Sequence, residues 1–333
     1  MAVQWFPGHM HLTRQAIEDR IKQVDVVIEM VDARLPASSA NPLLAQLTAK
    51  RPRLKVLNKQ DLADPARTAS WLAQYNANEG MRAIALDTTD GQAARRLIAP
   101  CQELAPTRGG SLSKPMRVLI CGIPNVGKST LINRMIGKSA AKAADEAGVT
   151  RHEQRYVLED GFYLYDTPGV LWPRIIVAQS GYWLAASGAV GRNAFDDEEV
   201  ALELLDYLKL AYPQLLVARY GLNEGLHDVD DKVLESDALL EAIGRTRGAL
   251  TAGGKVNLQK TAELLLHDFR SGALGRITLE TPEEYVLWLA EGKKLDAERQ
   301  LRKEALAQEG HIRPRPPASK LPSKKPTPRR SAW

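Results

Sequence analysis

Apolar residues crowd into three short runs early in the chain, 24–31, 54–57 and 83–86, rich in Val, Ile, Leu and Ala and too short for helices. Between them, 41–49 and 65–75 mix polar and apolar positions over helical lengths. Strand and helix therefore alternate, which predicts a β-α-β arrangement around a parallel sheet. A turn-rich linker over 106–115, with Gly109, Gly110, Ser111 and Ser113, separates this block from a fourth strand at 116–121 and a helix at 128–136. Two shorter strands, 156–158 and 162–165, are spaced for a hairpin through Glu159, Asp160 and Gly161.

After Trp172 the strand signal fades and apolar residues recur at helical spacing. Examples are Val200, Leu204, Leu205 and Leu208; Val233, Leu234, Leu240 and Ile243; and Ala262, Leu265, Leu266 and Phe269. A last helix is predicted to open at Pro282, with Thr281 as N-cap and Glu283 and Glu284 in its first turn, and to run towards Gln308. The expected architecture is α/β: a doubly wound, mostly parallel sheet domain over 1–172, an α-helical domain over 173–308, and a tail over 309–333.

Composition changes this picture in three places. The chain has 333 residues and a net charge of +5, but no acidic residue follows Glu309. That tail carries Arg313, Arg315, Lys320, Lys324, Lys325, Arg329 and Arg330 among six prolines, which cannot build a core. It reads either as a solubilising segment or as an arm that seeks polyanions. No apolar run is long enough for a membrane span and no secretory signal opens the chain, so a cytoplasmic protein without a membrane partner is expected. Cys101 and Cys121 have no metal spacing and are expected as buried free thiols.

The chemistry begins at Gly122-Ile-Pro-Asn-Val-Gly127-Lys128-Ser129, a phosphate-loop pattern placed between an apolar strand and a helix. Glycines let backbone N–H groups crowd around phosphates, and the helix that follows adds the positive end of its dipole. The candidate nucleotide ligands are Asn125, Val126, Gly127, Lys128, Ser129 and Thr130. Lys128 would bridge the β- and γ-phosphates, and Ser129 would bring a hydroxyl to magnesium. Asp166, in Asp166-Thr-Pro-Gly169, follows Ser129 by 37 residues at the end of an apolar strand. It is the candidate acid for the metal's water shell, and Gly169 can offer its N–H to the γ-phosphate. Thr150, in Gly148-Val-Thr150-Arg151, lies where a threonine closes over magnesium and the γ-phosphate; the alternatives are Thr130, close behind the loop, or a structural Thr150.

Asn58-Lys59-Gln60-Asp61 ends the second apolar run and selects the base. The Asp61 carboxylate can accept two N–H bonds from a guanine edge, a donor pair that adenine lacks. Asn58 would hold the loop, and the Lys59 stem would cover the face of the base. The segment 84–86 is a further candidate for a backbone contact, although it lacks a serine. Here the guanine motif precedes the phosphate loop, so the motif order is circularly permuted. Sheet topology permits this, because every ligand-bearing loop lies at one edge and a linker rejoins the old termini.

This motif order, with Trp5-Phe-Pro-Gly-His9-Met10, Asp32-Ala-Arg34-x-Pro36-x-Ser-x-x-Asn41-Pro42 and the phosphate loop, resembles the ribosome biogenesis GTPase A family, over residues 4 to about 280. The likeness extends to Gly253-Gly-Lys255, the run from Lys260, Asp268-Phe-Arg270-Ser-Gly272 and Leu274-Gly-Arg276, which look like that family's RNA-binding region. The resemblance implies binding of GTP and GDP, hydrolysis stimulated by the large ribosomal subunit, and that subunit and its rRNA as partners, with no DNA. Val170 stands where many small GTPases place a water-orienting glutamine. The family's substitute would be His9, whose other reading is a structural histidine in the N-terminal arm. Asn125 resembles an asparagine linked to potassium-activated GTPases, which adds K+ to Mg2+ as a candidate cation. Ala147 departs from the proline usual before this glycine.

Overall fold

The computed structural model describes residues 17–88, 92–93, 95–108, 113–136, 154–159, 161–167, 169, 171–172, 174–222 and 234–308. The predicted alternation is present: β1 (Val26–Asp32), α1 (Pro42–Leu47), β2 (Arg53–Asn58), α2 (Pro65–Asn76), β3 (Met81–Leu86), α3 (Arg95–Leu104), β4 (Met116–Gly122), α4 (Lys128–Ile136), β5 (Gln154–Glu159) and β6 (Phe162–Asp166). The helix starts have local causes. Asn41 caps α1 by accepting from the Leu43 N–H at 2.9 Å, and Asp64 caps α2 by accepting from Ala66 N–H at 2.8 Å, each followed by proline at the first helical position. Helix α3, with Pro100 inside it, carried no clear signal in the sequence reading.

The six strands lie in the order β3-β2-β1-β4-β6-β5. All neighbours run parallel except β5 and β6, which form the predicted antiparallel pair, with a register shift between Val157 and Glu159. Every residue of β1 is buried, as a central parallel strand covered on both faces requires. In register, Asp32 pairs with Asn58 and Asn58 with Leu86, while Gly122 lies beside Met30 and Asp166 beside Ile120. Five carboxyl ends thus meet at one edge. The chain winds outward from β1 through β2 and β3, then restarts at β4 on the other side of β1, so a topological switch point falls between β1 and β4, where such sheets bind ligands.

After the sheet come α5 (Ala178–Ala186), a 3-10 turn at Arg192–Ala194, α6 (Asp197–Ala211), α7 (Pro213–Tyr220), α8 (Ser236–Thr246), α9 (Leu258–Ser271) and α10 (Pro282–Gln308). The apolar positions read at helical spacing are buried at Val200, Leu204, Leu205, Leu208, Leu240, Ile243, Ala262, Leu265, Leu266 and Phe269, and Val233 lies outside the described residues. Thr281 caps α10 as expected, in a reciprocal box: Glu284 N–H donates to the Thr281 hydroxyl at 3.2 Å, and Thr281 N–H donates to the Glu284 carboxylate at 2.8 Å. Helices and sheet share one continuous apolar core, from Val26 and Ile120 to Leu265 and Leu279. Both cysteines are buried thiols, and burial pushes Cys101 up to about 12. Among the described residues no helix is long and apolar enough to cross a membrane.

Candidate nucleotide site

The phosphate loop leaves β4 at Gly122 and enters α4 at Lys128, which is buried at the first turn of that helix. Gly127 has φ +100°, and a Cβ there would stand 2.3 Å from Asn58 Nδ2, so only glycine lets the loop rest against the guanine motif. Gly169 is equally confined: its Cβ would stand 2.8 Å from Pro124 N, which presses the Asp-x-x-Gly backbone onto the phosphate loop. Just before it, the Thr167 hydroxyl donates to Ile120 O at 3.0 Å.

Asp166 ends β6 with its carboxylate buried, and its Oδ1 has no hydrogen-bond partner among the described residues. Burial raises its pKa despite the attraction of Lys128 and the Thr167 N–H. An acceptor so placed is under-satisfied until something donates to it. The water shell of a divalent cation supplies such a donor, so the residues present fit a magnesium-bound nucleotide, with Ser129 the hydroxyl next to Lys128 in the first turn of α4.

At the other end, β2 delivers Asn58 fully buried. Its Nδ2 donates to Val126 O at 2.7 Å and its Oδ1 accepts from Thr88 N–H at 3.2 Å. One side chain therefore joins the guanine motif, the phosphate loop and the segment after β3. Lys59 has a left-handed backbone, φ +62°, and its ammonium donates to Asp32 Oδ2 at 2.9 Å. The Asp32 carboxylate also takes Arg34 in a fork, Nε at 2.9 Å and a terminal nitrogen at 2.8 Å. Burial works against the charge on Asp32, but Arg34 and Lys59 together outweigh it and hold the carboxyl well below the usual range. Lys59 is lowered, because burial outweighs the pull of Asp32.

The loop after Lys59 is gripped from outside the sheet. Arg276 donates to Ala63 O at 2.8 Å and Gln60 O at 2.9 Å, and Ile277 N–H donates to Leu62 O at 2.9 Å. Asp61 stays exposed at the rim of this braced loop.

The structure thus brings together Asn58, Lys59, Val126, Gly127, Lys128, Asp166 and Gly169, with Ser129 and Thr130 half-buried in the first turn of α4. Asn125 is exposed, has φ +56°, and donates through Nδ2 to Gly188 O at 2.8 Å. His9, Thr150 and Val170 lie outside the described residues. Two segments gain detail. The backbone candidate at 84–86 lies in strand β3, whose Leu86 O accepts from Gln60 N–H at 3.2 Å, and two residues on the Thr88 N–H donates to Asn58 Oδ1. Within 268–276, Arg219 forks onto Asp268 at 2.8 Å, Phe269 is buried, Arg270 donates to Ala186 O and Ala185 O, and Arg276 holds the guanine loop, while Ser271, Ala273 and Arg276 remain exposed. Neither Thr88 nor this packing carries a local sequence signal, because both depend on partners far along the chain.

Comparison with known proteins agrees with this geometry. A family described as RsgA GTPase matches residues 7–174, and one described as 50S ribosome-binding GTPase matches residues 117–235. The chain is 41% identical over 291 residues to ribosome biogenesis GTPase A of Bacillus cereus, a match covering 86% of this chain and 96% of that protein. It is 31% identical over 299 residues to mitochondrial ribosome-associated GTPase 1 of Xenopus tropicalis, covering 83% of this chain and 94% of that one. Among solved structures, GNP-bound YlqF from T. maritima shares the fold with a TM-score of 0.58 at 24% identity, over 81% of this chain and 98% of that chain.

Proposed function

The chain belongs to the ribosome biogenesis GTPase A family and is a GTP-hydrolysing enzyme, and from that premise we propose that it is a switch in late assembly of the large ribosomal subunit, with hydrolysis stimulated by that subunit. The observation that carries the nucleotide part is the Asn58–Val126 bond, which seats the base-selecting motif on the phosphate loop although the two are read in reversed order. The ribosomal part is supported by the 50S ribosome-binding description of the family matched over 117–235 and by the names of the relatives.

In this reading Asp61 accepts the guanine N–H pair, and the Lys59 stem, stretched towards Asp32, floors the base. Lys128 neutralises the β- and γ-phosphates, and Gly169 offers its N–H. Ser129, Thr150 and, through water, Asp166 hold magnesium, which when bound offsets the charge developing on the transferred phosphoryl group. His9 orients the attacking water in place of a glutamine at 170. Potassium belongs to the same proposal: Asn125 uses Nδ2 on Gly188, and its Oδ1 is the atom a monovalent ion would take. We divide the chain into a GTPase domain over 1–172, a helical domain over 173–308 and a basic arm over 309–333. Exposed Lys255 and Lys260, with that arm, are the groups offered to rRNA phosphates in the cytoplasm.

Sedimentation of the full chain with purified large subunits tests this. Retention in the presence of a non-hydrolysable GTP analogue should exceed retention with GDP by about tenfold, a coupling of ordinary size. Equal retention in both nucleotides removes the switch.

A further inference from the structure

The two ends of the nucleotide site are tied to the helical region by separate polar contacts, and these contacts converge on one residue, Arg270, through its carbonyl and its side chain. At the guanine end, Lys59 is held by Asp32, and Asp32 by the fork of Arg34. Arg34 is 1% exposed and does not stop there: its remaining terminal nitrogen donates to Phe269 O at 3.1 Å and Arg270 O at 3.4 Å, at the C-terminal end of α9. Carbonyls in the last turn of a helix have no partner within it and carry the negative end of the dipole, so a guanidinium there is doubly favoured.

At the phosphate end, Asn125 donates to Gly188 O. Gly188 closes α5 with φ +80°: Gly188 N–H donates to Ala185 O at 3.0 Å and Ala189 N–H to Leu184 O at 2.9 Å, a Schellman stop that fixes where the Gly188 carbonyl points. The side chain of Arg270 completes the path. Its Nε donates to Ala186 O at 2.8 Å and a terminal nitrogen to Ala185 O at 2.9 Å. Arg34 thus caps α9, Arg270 from α9 caps α5, and the end of α5 receives the phosphate loop.

We propose that Arg270 is a positioning residue that couples the phosphate loop to the guanine motif through the helical region, so that the α5 end responds to whether di- or triphosphate is bound. This deepens the GTPase reading and rests on it. Asn125 lies three residues from Lys128, so an added γ-phosphate that draws the loop inward acts directly on the Asn125–Gly188 bond. With Arg270 in place, the strain reaches α9 and the buried Arg34–Asp32 pair instead of dissipating at a free helix end. Without it, the α5 end moves independently of the guanine end.

Amide hydrogen exchange on the full chain reads this directly, over residues 178–190, with GDP and with a non-hydrolysable GTP analogue. In the unaltered chain, exchange should differ between the two nucleotides by about fivefold. Arg270→Gln should reduce that difference to less than about twofold while GDP affinity stays within about threefold, since Arg270 does not touch the nucleotide loops. Arg270→Lys keeps the charge and one donor group, so it should retain an intermediate difference; it carries the same readout if the glutamine variant does not fold. A full difference in either Arg270 variant overturns the coupling, as does an unaltered chain that binds both nucleotides yet shows no difference. An unaltered chain that binds neither nucleotide overturns the GTPase reading first, and this inference with it.

Discussion

The guanine end and the phosphate end of the site are built on opposite principles. At the guanine end the buried polar side chains are already engaged: Asn58 on the phosphate loop and Thr88, Lys59 on Asp32, Asp32 on Arg34, with the loop carbonyls held by Arg276. At the phosphate end the grip comes from glycine-bearing backbone and one helix start, and Asp166 keeps a buried oxygen without a donor among the described residues. A preorganised polar pocket discriminates between bases because it cannot relax around the wrong one. A pocket with an unmet acceptor is completed only by its ligand. On the proposed reading, selectivity is therefore fixed before binding, while the phosphate end is the part that nucleotide state can change.

The largest expected effect breaks the guanine end. Asp61→Asn exchanges the acceptor for an amide on a loop that Arg276 and Ile277 hold in place. Preference should move from GTP to xanthosine triphosphate by about four orders of magnitude, measured as a ratio of Kd values, because a site shaped for particular donors rejects their absence that strongly. Unchanged guanine preference would refute the assignment of this loop to the base.

A second variant sharpens the phosphate end. Asp166→Asn removes a charge that burial disfavours and that Lys128 only partly compensates. The nucleotide-free protein should gain stability in a denaturant titration, while GTP turnover falls about 100-fold through loss of the metal's electrostatic support. A nucleotide-free protein that is destabilised instead would mean that Asp166 serves the fold and not a ligand.

The same contrast explains what the sequence made legible. The five strand ends were readable because Val-, Ile- and Leu-rich runs mark buried parallel strands, and because Asn58, Gly122 and Asp166 each stand at the end of one. Strand limits moved by up to two residues, as at β1, which was expected at 24–31 and runs Val26–Asp32. Helix α3 has no counterpart among the predicted elements, and its Pro100 interrupts the helical pattern. The role of Arg34 was hidden for a different reason. Its partners Phe269 and Arg270 lie more than 230 residues away, and no local pattern announces a side chain that bonds to carbonyls across such a separation. Arg270 and Arg276 stand in segments that resemble the family's RNA-binding region, and their guanidinium groups close internal joints that this resemblance does not announce. The apolar pattern records burial, but it does not record which buried polar groups pair.

The smallest expected effect concerns the junction beneath the guanine end. Glu280 is fully buried and accepts from the backbone N–H groups of Ala37 and Ser38 and from the Ser38 hydroxyl, which also meets the hydroxyl of Ser180 at 2.8 Å. Burial raises its pKa to about 7 although these donors favour the ionised form. A carboxyl raised from 4.5 binds its proton more tightly folded than unfolded, so its contribution to stability is complete below about 4.5 and declines as pH climbs to 7. The span corresponds to about 3 kcal/mol at most. Glu280→Gln keeps an acceptor for the two N–H groups and carries no titrating proton. Urea unfolding from pH 5 to pH 8 should therefore show a flatter profile for the variant, with its advantage over the unaltered protein growing as pH rises. Parallel profiles would mean that the ionised carboxylate is fully compensated by its donors, and that the guanine end owes its rigidity to the Asp32–Arg34 pair without help from this junction.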